Sequence, residues 1–171
     1  ESNLLDGGAH FYDTYECSDG KWVAVGAIEL HFYEMLISTL GVEAQLPKAD
    51  YAAQFDKQQW HKVRPVLAAR FKEQPRDYWC KLFQGKDACF APVLEMNEAV
   101  EYPHNKQRNS FIELDGVTQA APAPKFKRNV SQVSHGPKAS GVDNVEVCME
   151  LGFSQHEIMQ LKAEGVLLSA Q

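Results

Sequence analysis

The chain has 171 residues, 44% hydrophobic and 11% aromatic, enough for one packed domain or one domain with a trailing segment. A formal net charge of −6 and a pI near 5.5 argue against nonspecific attraction to nucleic acid. No apolar run approaches the length of a membrane span and no secretory signal is visible; the first residue is Glu1, which predicts a processed chain or a piece of a longer one.

In chain order, the Gly7-Gly8 pair reads as a turn. Phe11–Glu16 and Lys21–Ala27 then read as a β-hairpin joined by Cys17-Ser18-Asp19-Gly20, because Asp-Gly favours the positive φ of short hairpin turns. Trp22, Ala24 and Gly26 alternate with Val23, Val25 and Ala27, so both faces of the second strand are apolar and predicted to be covered. Leu30–Leu40 reads as a helix with Phe32, Met35, Leu36 and Leu40 on its inner stripe and Gly41 after its end. Gln58–Phe71 is a second helix with Val63, Val66, Leu67 and Phe71 inward; Pro65 predicts a bend or a late first turn. Arg76–Phe83 is a third, with Tyr78, Trp79 and Leu82 inward and Gly85 as the stop. Cys89–Leu94 is a strand that Pro92 confines to an edge. A short helix over Glu95–Glu101 and a strand over Ser110–Leu114 follow.

From Gln119 to Gly141 the chain carries Pro122, Pro124 and Pro137 and little hydrophobic period, which predicts a long extended connection. Two helices close the chain, over Asp143–Leu151 and from Ser154 to Gly165; Ser154 and Glu157 form a capping box, and Ile158 and Leu161 need a surface to cover. The fold class is therefore α+β: a small domain over 1–118, with a short sheet packed against helices, then a proline-rich connection and closing helices over 119–171.

Glu29 stands where the second strand meets the first helix. One reading is stabilisation of the helix start by a negative charge. The other is a carboxylate that orients a histidine acting as general base. The chain's own histidines, His10, His31, His61, His104, His135 and His156, show no metal-ligand spacing. His31 diverges from Glu29 on a helix, His61 and His156 read as exposed, and His10 is a candidate pocket residue. Cys17, Cys80, Cys89 and Cys148 lack zinc-type spacing and read as reduced, mostly buried thiols. Lys125, Lys127 and Arg128 read as a solvated face or a phosphate contact. The common hydrolase, nucleotide-binding and zinc-protease motifs are absent.

The run LDGGAHFYDTYECSDGKWVAVGAIE (Leu5–Glu29), with DACFAPVL (Asp87–Leu94), HNKQRNSF (His104–Phe111) and LGFSQHEIMQL (Leu151–Leu161), resembles the α-methylacyl-CoA racemase branch of the class III CoA-transferase family. The motifs occur in family order across nearly the whole chain and cover only the C-terminal part of such an enzyme. The resemblance implies an isomerase that removes and returns the proton next to a CoA thioester through an enolate, with no cofactor and no metal. It places the histidine and aspartate bases in a large domain this chain lacks, so the chain alone would be inactive. Glu29 becomes the partner of that histidine, with Tyr12 and Ile28 near the acyl group.

It further implies an acyl-CoA thioester as substrate, an interlocked homodimer, no membrane insertion, and a peroxisomal or mitochondrial location, although Ser169-Ala170-Gln171 is not a peroxisomal signal. The closing helices would cover their apolar face against another chain or be poorly ordered. Two departures stand out: His10 replaces the proline of GGAP, and Leu30-His31 replaces the Pro-Gln of GAIEPQ. The alternatives are a class III CoA-transferase that moves CoA between acids, and a non-catalytic CoA-ester-binding or dimerisation module.

Overall fold

The structure, a computed structural model, describes residues 3–46 and 50–167; the Ser169-Ala170-Gln171 terminus lies outside them. The fold is α+β, in two compact units, Glu1–Ala99 and Val100–Gln171.

In the first unit an irregular helical loop, Leu4–Gly8, leads into β1 (Tyr12–Glu16) and β2 (Trp22–Gly26), paired antiparallel with Tyr12 opposite Gly26 and Glu16 opposite Trp22. Helices α1 (Leu30–Leu40), α2 (Tyr51–Phe55), α3 (Lys57–Phe71) and α4 (Arg76–Phe83) follow. Strand β3 (Phe90–Pro92) then adds antiparallel to β2, giving the order β1-β2-β3. Pro92 sits on an edge strand, where its missing N–H costs no ladder bond. Helix α5 (Met96–Glu101) spans the boundary between the units.

One core fills the first unit. Val23, Val25 and Tyr15 from the sheet meet Leu36, Leu40, Trp60, Leu67, Phe71, Trp79 and Phe83 from the helices. The Phe71 ring lies stacked on Tyr15 and edge-on to Trp79, whose indole N–H donates to the Phe71 carbonyl at 2.9 Å. Strand β2 is buried on one face only: Val23 and Val25 point inward while Trp22 is 44% exposed and Ala24 and Gly26 are half-buried. The expected cover on both faces is absent within this unit, because apolar side chains on both sides of a strand do not say which chain segment supplies the second layer.

Two helical stripes differ in phase from expectation. Helix α1 buries Tyr33, Leu36, Ile37 and Leu40, leaving Met35 exposed and Phe32 half-buried. The inner stripe includes Tyr33, because its hydroxyl has a buried partner. Helix α4 buries Arg76, Trp79 and Phe83 and leaves Tyr78 exposed; an inward arginine was hidden from a count of apolar residues. Helix α3 runs unbroken through Pro65. Trp60, Val63, Leu67 and Phe71 bury its inner face and outweigh the roughly 3 kcal/mol that an interior proline costs.

The second unit holds α6 (Pro103–Gln107), the hairpin β4 (Phe111–Leu114) and β5 (Val117–Ala120), and the closing helices α7 (Asn144–Glu150) and α8 (Gln155–Ala163). The β4–β5 turn is Asp115-Gly116, with φ of +52° and +76°, the type I′ geometry that Asp-Gly favours. The extended connection therefore begins after Ala120 and not at Gln119. Lys125 anchors it to the α6–β4 corner by donating to the Arg108 and Asn109 carbonyls, so that lysine is not part of a free basic face. Helices α7 and α8 pack on one another through buried Cys148 and Ile158, and the Ser154–Glu157 capping box forms as expected.

The connection is tied back where the Gly136 N–H donates to Asp115 Oδ2 at 3.0 Å. A Cβ at position 136 would lie 2.4 Å from that oxygen. Gly136→Ala is expected to break this tether and cost about 1–2 kcal/mol. Faster amide exchange around residues 115 and 136 than around α8 is the measurement that checks it.

Candidate functional site

The site is built at the end of β2. The ladder finishes with the Gly26 N–H donating to the Cys89 carbonyl and the Ala27 N–H to the Phe11 carbonyl, both at 2.9 Å. Helix α1 starts at once, with the Tyr33 N–H bonded to the Glu29 carbonyl at 3.0 Å. Glu29 is the residue between, extended at φ −73°, ψ 144°. Its side chain is exposed and makes no capping hydrogen bond to its own helix. A carboxylate devoted to the helix start would accept from the N–H groups of the first turn. Glu29 does not.

Tyr12, 36% exposed, lies across from Gly26, and its ring covers the glycine: a Cβ there would meet Tyr12 Cε2 at 3.6 Å. The outer sheet face beside it forms an open cavity of about 460 Å³, lined by Tyr12, Ala24, Cys89 and Ala91 and also by the carboxylate residues Asp6 and Asp13. Ile28 is half-buried against the core.

Cys89 is the exception among thiols that read as mostly buried. It is exposed, it borders the cavity, and its backbone takes φ +47°, which a non-glycine residue adopts only under constraint. The bond from Gly26 fixes it there. Partial desolvation first, then the charges of Asp87 and Glu29, push its thiol pKa up. The signal in the sequence was DAC followed by a strand, but spacing alone does not reveal a left-handed residue.

His10 is not a pocket residue. It is 1% exposed, and its Nε2 lies 2.9 Å from the Tyr33 hydroxyl. The Tyr15 hydroxyl donates to the His10 carbonyl at 2.6 Å. Its Nδ1 is buried without a partner. Burial, with a smaller contribution from the Arg64 charge, lowers its pKa from 6.5 to about 4. Arg64 holds the same corner by bridging Asp13 at 2.6 Å and donating to the Gly8 carbonyl at 3.1 Å.

A histidine kept neutral in the fold loses nothing above its unfolded pKa. Below it the unfolded chain binds a proton that the folded chain refuses until about pH 4. Stability is therefore expected to fall by about 3 kcal/mol from this group as pH drops from 6.5 to 4. Denaturant titrations should show a shallower fall over that window for His10→Gln.

Of the remaining histidines, His31 lies exposed against the Phe32 ring, and His61, His104, His135 and His156 are exposed. Among the described residues no group of three or more His, Cys, Asp or Glu could hold a metal ion, and no helix is long and apolar enough to cross a membrane.

The chain is 40% identical to alpha-methylacyl-CoA racemase of mouse (Mus musculus) over 171 residues, and 39% identical to the human (Homo sapiens) enzyme of that name over 178 residues. Each match covers 98% of this chain and 43% of the relative, so the chain spans less than half the length of either. A CaiB/baiF CoA-transferase family protein of Caenorhabditis elegans is 33% identical over 122 residues, covering 71% of this chain and 33% of its own length. Among solved structures, a crystal form of Rv3272 from Mycobacterium tuberculosis superposes with a TM-score of 0.59 at 16% identity, over 78% of this chain and 37% of that one; at that identity it speaks for the fold alone. The model of CoA-transferase family III matches residues 1–141, which include the hairpin, Glu29 and the Cys89 strand. The chain belongs to CoA-transferase family III.

Proposed function

We propose that the chain is part of an α-methylacyl-CoA racemase, which interconverts (R)- and (S)-2-methylacyl-CoA thioesters. The observation that carries this reading is the identity of about 40% to two enzymes of that name along 98% of the chain. The corner bearing Glu29 lies inside that stretch.

In this reading the thioester acidifies the α-proton, a base removes it to leave an enolate, and an acid returns a proton to the other face. Neither metal nor cofactor takes part. The base would be a histidine from outside this chain, and Glu29 would accept the proton on its far ring nitrogen. That bond fixes the tautomer and stabilises the imidazolium formed during the reaction. The exposure of Glu29 and the absence of a capping bond leave the carboxylate available for such a partner. The Ala24 and Ala91 side of the cavity beside Tyr12 would take the acyl group, and Ile28 follows Gly26 by two residues. The chain by itself would be inactive, and an interlocked homodimer with a peroxisomal or mitochondrial location would be the setting of the complete protein.

The CoA-transferase name of the family, carried also by the nematode relative, favours a second reading, transfer of CoA between acids. The complete protein carrying this chain, incubated with a 2-methylacyl-CoA in deuterated water, is expected to exchange the α-proton without any acceptor acid. CoA transfer to a free acid with no α-exchange would overturn the racemase reading.

A further inference from the structure

Two carbonyls at the Glu29 corner have no strand to bond to. Ala27 and Ile28 lie past the end of the β2 ladder and before the first turn of α1, so neither sheet nor helix takes their oxygens. Gln54, on α2, supplies what is missing. Its Nε2 donates to the Ala27 carbonyl at 2.9 Å and to the Ile28 carbonyl at 2.8 Å.

The side chain is 1% exposed, and its Oε1 is buried without a partner. A buried acceptor left unbonded carries a free-energy penalty. Turning the amide over would place that oxygen against two carbonyls, so the observed orientation is the one the corner enforces. Gln54 is itself held from both sides. Asp50 caps the start of α2 by accepting from the Ala53 N–H at 2.8 Å, and the Trp60 indole N–H donates to the Gln54 carbonyl at 2.9 Å.

The two peptide planes that Gln54 grips are those immediately before Glu29. They set where the Glu29 Cα leaves the sheet and hence where its carboxylate points. Elsewhere a proline at the first helical position presets such a corner; here that position is Leu30. We propose that Gln54 is a positioning residue for catalysis, whose amide clamp on the Ala27 and Ile28 carbonyls aims the Glu29 carboxylate at its histidine partner. This rests on the reading of Glu29 given above.

The test is a double-mutant cycle in the complete protein, following α-proton exchange of a 2-methylacyl-CoA with Gln54→Ala, Glu29→Gln and both together. Gln54→Ala is expected to lower kcat about 10- to 100-fold with KM little changed, as misplacement of a reacting group by about 1 Å does. The acidic limb of the pH profile should move in the direction seen for Glu29→Gln, because in both the histidine loses its carboxylate. The double variant should be no slower than Glu29→Gln alone. Gln54→Met nearly keeps the volume and removes the donor without adding a charge; it serves as the second variant where Gln54→Ala lowers the folded fraction, and it should show the same loss.

Losses that multiply in the double variant, or a lowered melting temperature with wild-type kcat and pH profile, would overturn the role of Gln54 while leaving Glu29's intact. Unchanged exchange in Glu29→Gln would remove the Glu29 reading and this proposal together.

Discussion

Glu29→Gln in the complete protein is expected to slow α-proton exchange by about 10²- to 10⁴-fold, the range spanned by general-base catalysis and by loss of the carboxylate behind a catalytic histidine. The amide is isosteric and cannot carry the negative charge that an imidazolium needs beside it. It can also donate to the ring nitrogen and so favour the wrong tautomer. Because Glu29 makes no capping bond and is exposed, the substitution should leave the fold intact. Thermal melting of the variant separates the two effects: an unchanged melting temperature with slowed exchange is the expected pair. Exchange at the wild-type rate would take Glu29 out of the mechanism.

The largest stability effect is expected at Arg76. Its side chain is 7% exposed and forks onto Glu98, with Nη1 and Nη2 each 2.8 Å from one carboxylate oxygen. Nη1 also donates to the Val93 carbonyl at 2.8 Å, and the Arg76 N–H donates to Asp19 in the hairpin loop at 3.2 Å. One residue thus joins α4, the β1–β2 turn, the segment after β3 and α5. Arg76→Ala leaves Glu98 with Lys21, 2.6 Å away, and the Glu95 N–H, and removes the guanidinium from the Val93 carbonyl. Glu98 is 23% exposed and keeps Lys21, so the loss lies below that of a fully buried pair, at about 2–3 kcal/mol, which in a chain of this size lowers the melting temperature by roughly 5–10 °C. Replacing both partners, Arg76→Leu with Glu98→Leu, should recover part of the loss, because no charge is then left facing an empty site.

The same cluster gives the fold an acid limit. Hydrogen bonds from Arg76 first, then Lys21, hold the Glu98 carboxyl well below its ordinary 4.5. A depressed carboxylate contributes its full stability above the unfolded value and loses it as pH falls through the folded one. The Glu98 contribution is therefore complete at about pH 5 and above and declines progressively as pH falls below 4.5. The His10 loss starts earlier, running from pH 6.5 to 4.

The hairpin, helices α1, α3 and α4, the edge strand at Pro92 and the capping box at Ser154 were all legible in the sequence, because each rests on local chemistry: a turn dipeptide, a 3.6-residue period, a missing N–H, a reciprocal cap. Tertiary partners were not. Tyr33 is inward because His10 meets it, and Arg76 because Glu98 does; neither follows from hydrophobic spacing. At the site, Glu29 could be placed at the strand–helix junction by pattern. Gln54 could not be linked to it, since 25 residues and an intervening helix separate two groups that meet only after folding. The conformation of Cys89 could not be read for the same reason: a bond from Gly26 decides it.

Helices α7 and α8 bury Cys148 and Ile158, yet Val147, Met149, Leu151, Phe153, Met159 and Val166 remain between 42% and 71% exposed. Exposed apolar side chains of this size are what contact regions are built from. In a cell, a chain showing it bare presents what chaperones hold and proteases clear. Its abundance would then follow the supply of whatever surface covers those side chains, and its turnover would report whether that surface has been met.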